Sequence, residues 1–159
     1  LQFIIVGAYL LSVALAGGTT ETVIPFLGSV DLGFFYYILA AVFIVGMVNA
    51  VNFTDGIDGL NTSVTLVVAL VFSVIAMLLN RVGLSLYAAA IVGAMIGFLF
   101  WNANPAKVFM GDTGSLFLGG AVCALAFGVD MPILLILIGV IYIVEILSVI
   151  GVLLAVFGC

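Results

Sequence analysis

Asp55, Asp58 and Asp112 are three of only seven acidic residues in a chain of 159. They fall in two short polar segments, Asn49-Ala-Val-Asn-Phe-Thr-Asp-Gly-Ile-Asp-Gly-Leu60 and Asn102-Ala-Asn-Pro-Ala-Lys-Val-Phe-Met-Gly-Asp-Thr-Gly-Ser115. A carboxylate is costly near hydrocarbon, so acids gathered with asparagines and glycines at the ends of apolar runs point to a functional site. The chemistry that suits them is binding of a hard divalent cation. Mg2+ takes one or two protein carboxylates and fills its remaining positions with water and substrate phosphate oxygens. Phe109 adds a flat face for stacking a base, and Asn102 and Asn104 add donors and acceptors. Gly56 and Gly59 allow close backbone approach. Asn49 and Asn52, three apart, are placed to orient carboxylates or a ligand.

Each of these residues also has a plainer use. Thr54 and Asp55 are N-cap candidates for a helix that follows, and Asp58 suits the positive end of its dipole. If that helix starts nearby, Asp55 and Asp58 share one face of it. Asp112 precedes another apolar run and is a cap candidate in the same way. Lys107 either snorkels from a helix end or touches a substrate phosphate. Glu145 lies inside an apolar run, where a structural contact with Ser148, a backbone group or a neighbouring helix is expected. Two familiar anion and cation motifs fail. Ile57 and Gly59 stand where a calcium loop needs oxygen ligands, and no Gly-Lys-Ser/Thr triplet offers a P-loop.

The elements that must position these residues are set by composition. Hydrophobic residues make up 67% and charged residues 6%, with a mean hydropathy of +1.61, against about 25% charged in soluble domains. The expected class is an all-α, polytopic membrane bundle, a single transmembrane domain over residues 1–159. A net charge of -5 with only two basic residues excludes nucleic-acid binding. Two cysteines without ligand or framework spacing indicate neither disulfide nor metal.

Runs of about 17 to 25 apolar residues span a bilayer as helices. Six stretches qualify or come close: Leu1 to Ala16, Gly33 to Val51, Leu60 to Leu79, Gly83 to Trp101, Ser115 to Val129 and Pro132 to Phe157. None alternates as a barrel strand does. Between the first two, β-branched runs around Gly28-Ser29 predict a small surface hairpin. Gly93-Ala-Met-Ile-Gly97 predicts close helix packing. Crossing order brings Asp55, Asp58 and Asp112 to one membrane face and sends Glu21, Asp31, Arg81 and Asp130 to the other. One basic residue per face leaves orientation open.

Asn49 to Leu60, together with Pro105-Ala-Lys-Val-Phe-Met-Gly-Asp-Thr-Gly-Ser-Leu116, resembles the signature pair of the polyprenyl-phosphate N-acetylhexosamine-1-phosphate transferases. The Thr54 form and Ile143-Val-Glu-Ile-Leu-Ser-Val149 most resemble the branch of phospho-N-acetylmuramoyl-pentapeptide translocases. The resemblance implies a ten-helix enzyme of the bacterial cytoplasmic membrane, often a homodimer, with its site facing the cytoplasm. Such enzymes move phospho-MurNAc-pentapeptide from UDP to undecaprenyl phosphate, giving lipid I and UMP for peptidoglycan synthesis. By motif position, the resemblance makes Asp112 the Mg2+ ligand, Asp55 and Asp58 catalytic-centre carboxylates, and Asn52 their support. It places Gly56, Ile57, Asp58, Asn102 and Phe109 around uridine, with Phe109 stacked on uracil.

The chain departs from that family in having no histidine and no Asp-Asp pair, although the family carries an Asp-Asp-rich loop before these segments and a histidine-rich loop after them. Both are expected beyond its ends, which makes 1–159 a central fragment. Three rivals share some features. A UDP-GlcNAc transferase would use the same metal site with a different sugar. An intramembrane aspartyl protease needs a glycine where Phe109 stands. A cation transporter or channel needs acids at mid-membrane depth.

Overall fold

The computed structural model describes residues 1–24 and 28–157, with backbone alone at 145, 146, 149, 150, 152, 153 and 155–157. The order is α1 (Gln2–Leu15), β1 (Glu21–Ile24), β2 (Gly28–Asp31), α2 (Phe34–Thr54), α3 (Leu60–Leu78), α4 (Val82–Asn102), α5 (Gly111–Gly128) and α6 (Leu134–Phe157). The chain is an all-α membrane bundle with one small hairpin. Helices α2 to α5, of 18 to 21 residues, are long and apolar enough to cross a membrane.

Hydrocarbon surrounds this bundle, so large apolar side chains on its outside carry no penalty. Phe34, Phe35, Phe100 and Phe117 all point outward. The interior is made where α2, α3, α5 and α6 meet, around Val51, Phe72, Val122, Leu125 and Tyr142. α3 packs along α4, and α2 along α5 and α6. The α2–α5 contact is intimate because of Gly119, where a Cβ would stand 2.6 Å from Val48 Cα and 3.2 Å from its carbonyl oxygen.

β1 and β2 pair antiparallel, with Glu21 opposite Asp31 and Ile24 opposite Gly28. The expected hairpin forms, with Gly28 and Ser29 opening its second strand. It is tied to the α5–α6 turn by the Val23 N–H, which donates to Asp130 O at 2.9 Å. Arg81, between α3 and α4, pairs with the Asp130 carboxylate and donates to Gly128 O at 2.8 Å. Asp31 accepts from the Thr20 hydroxyl and the Gly33 N–H, which hold its carboxyl below its ordinary value. Hairpin, Arg81 and Asp130 therefore share one face, as crossing order requires.

Several expectations are corrected. Leu1 to Ala16 yields a 14-residue apolar helix. It stops at Gly17, whose φ of +74° reverses the chain. α2 runs three residues past Val51, and the Thr54 hydroxyl bonds back to Ala50 O at 2.9 Å instead of capping the next helix. α5 begins at Gly111, four residues before Ser115, so Asp112 sits in its first turn and makes no cap hydrogen bond. Gly93 and Gly97 meet nothing within 4 Å among the described residues, and the close approach occurs at Gly119 instead. The partner expected for Glu145 lies outside the described side chains, as does Cys159 outside the described residues.

Gly119→Ala is expected to destabilise the bundle by about 1–3 kcal/mol, because backbone on α2 must move to admit the methyl. Gly120→Ala, with nothing within 4 Å, should change stability by under about 0.5 kcal/mol. Thermal melts of both variants in detergent check the difference.

Candidate active site

The last turn of α2 and the first turn of α5 lie side by side, joined by Asn52. Its Nδ2 donates to Ser115 Oγ at 2.8 Å and to Asp112 Oδ1 at 3.3 Å. Ser115 is fully buried and bonds back to Gly111 O at 3.2 Å. Asn52 therefore has a fixed hydroxyl on one side and an exposed carboxylate on the other.

Asp55 caps the C-terminal end of α2 and is half-buried. Burial pushes its carboxyl above the ordinary value of 3.8, and the charge of Asp112 pushes the same way. The Asn61 side chain and the Gly111 N–H face it and act in the opposite sense. Two carboxylates thus stand close together, served by neutral donors alone. The chain's two basic residues are both engaged elsewhere: Arg81 is on the far face, and Lys107 Nζ lies 5.8 Å from the centre of the Trp101 ring. A pair of like charges without a basic neighbour fits a divalent cation, which would relieve the repulsion. Among the described residues no group of three or more His, Cys, Asp or Glu gathers. The donor set therefore matches a metal completed by water and phosphate rather than a protein cage.

Asp58 faces elsewhere. The expected shared helical face does not form, because 55–59 is a loop and α3 starts only at Leu60. Gly59 turns the chain with φ +72°, and a Cβ there would lie 3.4 Å from Asn102 O. That turn aims Asp58 at the 103–110 loop, where its Oδ2 accepts from the Ala106 N–H at 2.8 Å and from Asn104 Nδ2 at 3.3 Å. Asn102 is buried behind the same loop. Its Oδ1 accepts from Thr62 Oγ1 at 2.6 Å and its Nδ2 donates to Val108 O at 3.0 Å. The Lys107 and Val108 N–H groups both donate to Trp101 O.

These bonds hold a loop that presents Phe109 with 68% of its surface exposed. Gly56 and Ile57 are exposed on the neighbouring loop. Asn49 takes no part in the site. It exchanges hydrogen bonds with Gln2 at 2.8 and 3.3 Å and ties α1 to α2. Sequence reasoning missed Asn61, Thr62 and Thr65. Polar residues at i, i+1 and i+4 in the first turns of an apolar helix were the available signal.

The sequence profile of glycosyl transferase family 4 matches residues 1–131, and the chain belongs to that family. It is similar to the phospho-N-acetylmuramoyl-pentapeptide-transferase of Clostridium perfringens strain SM101, 51% identical over 132 residues, covering 82% of this chain and 41% of the relative. The protein of that name from Halalkalibacterium halodurans is 45% identical over 150 residues, covering 94% of this chain and 46% of the relative. That from Caldanaerobacter subterraneus is 48% identical over 132 residues, covering 82% and 42%. The chain spans less than half the length of these curated relatives.

Two measurements probe this geometry. Asp58→Ala should loosen the 103–110 loop, raising amide exchange at Ala106 and lowering stability by about 1 kcal/mol. Because the folded state raises the Asp55 pKa, it binds a proton more tightly than the unfolded chain does. Metal-free stability is therefore expected to fall as pH rises from 3.8 through the raised value. Melting temperature against pH in chelator should show that slope, and Asp55→Asn should flatten it.

Proposed function

We propose that this chain carries the nucleotide and metal part of an enzyme that transfers phospho-MurNAc-pentapeptide from UDP to undecaprenyl phosphate, releasing lipid I and UMP. The carrying observation is Asp112, held by Asn52 from the last turn of α2, with the pKa of Asp55 at the end of that turn raised by burial and by its charge, no basic neighbour, and Phe109 exposed on the adjoining loop. The sugar and the reaction class follow those of the phospho-N-acetylmuramoyl-pentapeptide-transferases to which the chain is similar.

The step joins two anions. A phosphate oxygen of the lipid attacks the phosphorus attached to the sugar, and the bond from that phosphorus to the UMP oxygen breaks. Mg2+, when bound, neutralises the diphosphate and aligns it for in-line displacement. Asp112 would hold the metal, with Asn52 orienting the Asp112 carboxylate. Asp55, with its raised pKa, would line the reacting centre and accept a proton from the acceptor phosphate as it attacks. Phe109 would stack on uracil, with Gly56 and Ile57 on the rim of the uridine pocket. Asp58 and Asn102 would act from behind by fixing the loop that carries Phe109. The acids sit at helix ends, which favours this chemistry over a mid-membrane ion pathway. The enzyme would lie in the bacterial cytoplasmic membrane with this face toward the cytoplasm, where UDP-sugars are made.

The test uses the full-length protein. Transfer should require Mg2+ and should proceed from UDP-MurNAc-pentapeptide, with UDP-GlcNAc inert; turnover of UDP-GlcNAc instead would reassign the sugar. Asp112→Asn is expected to abolish metal-dependent transfer with the melting temperature retained, and unchanged activity would remove the metal role. Phe109→Ala is expected to weaken UMP binding by about 1–3 kcal/mol in titration calorimetry, and equal affinity would refute the stacking contact.

A further inference from the structure

Thr62, in the first turn of α3, and Asn102, the last residue of α4, meet inside the bundle at 0% and 3% exposure. The two ends of the Asn102 carboxamide are told apart by what they face. Val108 O can only accept, so the end that meets it at 3.0 Å is the Nδ2 donor. Oδ1 then faces α3, where the Thr62 hydroxyl donates to it at 2.6 Å. Exchanging the two amide ends would set one oxygen against another at Val108, so the bonds to Thr62 and to Val108 hold each other in place.

This line ends at the peptide that carries Phe109. A peptide unit is planar, so Val108 O shares one rigid plane with the nitrogen and Cα of Phe109. Trp101 O takes the Val108 N–H at 3.2 Å, and Asn102 holds the carbonyl of the same residue. The direction in which the exposed Phe109 ring leaves the loop is thereby set from inside the bundle. Helix finishing does not account for the pair, because the Asn102 side chain serves a residue six positions on and not the carbonyls of its own helix. Cohesion of α3 with α4 does not account for it either. Ala69, Ala76, Ala88 and Ile91 supply that in the same core without burying polar groups.

We infer that Thr62 is a positioning residue for the base of the nucleotide: through the Asn102 carboxamide it fixes the Val108–Phe109 peptide and so holds the Phe109 ring in its stacking orientation. Asn102, buried and bonded at both ends of its amide, serves the base through the loop and not by touching it. This rests on the reading of Phe109 as the ring that stacks on uracil.

The experiment compares Thr62→Val, Thr62→Ala, Thr62→Ser, Phe109→Ala and the Phe109→Ala/Thr62→Val double variant in full-length protein, measuring UMP affinity by titration calorimetry, and kcat and KM for the nucleotide sugar. Thr62→Val keeps the shape of the side chain without its hydroxyl. It should weaken UMP binding about three- to tenfold, with KM rising in step and kcat within about twofold. Thr62→Ser should bind UMP within about twofold of the unsubstituted protein. In the Phe109→Ala background, Thr62→Val should weaken binding by less than about twofold more, because the ring through which it acts is gone. Unchanged UMP affinity in Thr62→Val, Thr62→Ser as weak as Thr62→Val, losses that multiply in the double variant, or a fall in kcat as large as the rise in KM would each overturn the inference. Thr62→Ala also lacks the hydroxyl, so it decides if Thr62→Val does not fold. Unchanged affinity in Phe109→Ala overturns the stacking reading and this inference with it, whereas a loss there with none in Thr62→Val overturns this inference alone.

Discussion

The contact between the end of α2 and the start of α5 is the constraint on which the site depends. Gly119 lets the two backbones meet at Val48, and that spacing puts Asn52 within hydrogen-bond reach of both Ser115 and Asp112. Asp55 and Asp112 come from opposite ends of their helices and lie far apart in sequence. They become neighbours only because a residue without a side chain stands two turns inside the bundle. Packing inside the hydrocarbon therefore sets the separation of charges at its edge.

The second constraint is the need to satisfy polar groups where water is scarce. The 103–110 loop holds its shape through the Asp58 carboxylate, both ends of the Asn102 carboxamide and the Trp101 carbonyl. Each partner lies on a different segment, which leaves Phe109 outward on a fixed base. The same economy explains why Asp55 is matched by neutral amides. A basic residue beside it would cancel the negative charge that a divalent cation needs.

Much of this was legible from residue types and order. Long apolar runs gave the bundle, crossing order put the aspartates opposite Arg81 and Asp130, and the β-branched runs gave the hairpin. What the sequence concealed were competitions between side chain and backbone. Thr54 could cap the next helix or bond back to Ala50, and only the neighbourhood of α5, which stabilises Asn52 in the last turn, decides the matter. Asp112 reads as a cap until α5 is seen to begin at Gly111. Asn49 looks like a site residue until Gln2 supplies a partner 47 positions away. Asn61, Thr62 and Thr65 were overlooked because their neighbours are apolar, so their polar runs read as ordinary helix. Gly93 and Gly97 show the converse, since spacing alone suggested packing that Gly119 provides.

The ion pair of Arg81 with Asp130, together with the hairpin bonded to Asp130 O, ties three turns together at the end of the bundle remote from the aspartates. Helices gathered at one end behave as levers with a common fulcrum. α2 and α4 are each 21 residues, an arm of about 30 Å, so a tilt of about 2° displaces the opposite tip by about 1 Å. Displacements of that size are large on the scale of reacting distances. A tight clasp at one edge of the membrane therefore limits how far the helix tips at the other edge can spread.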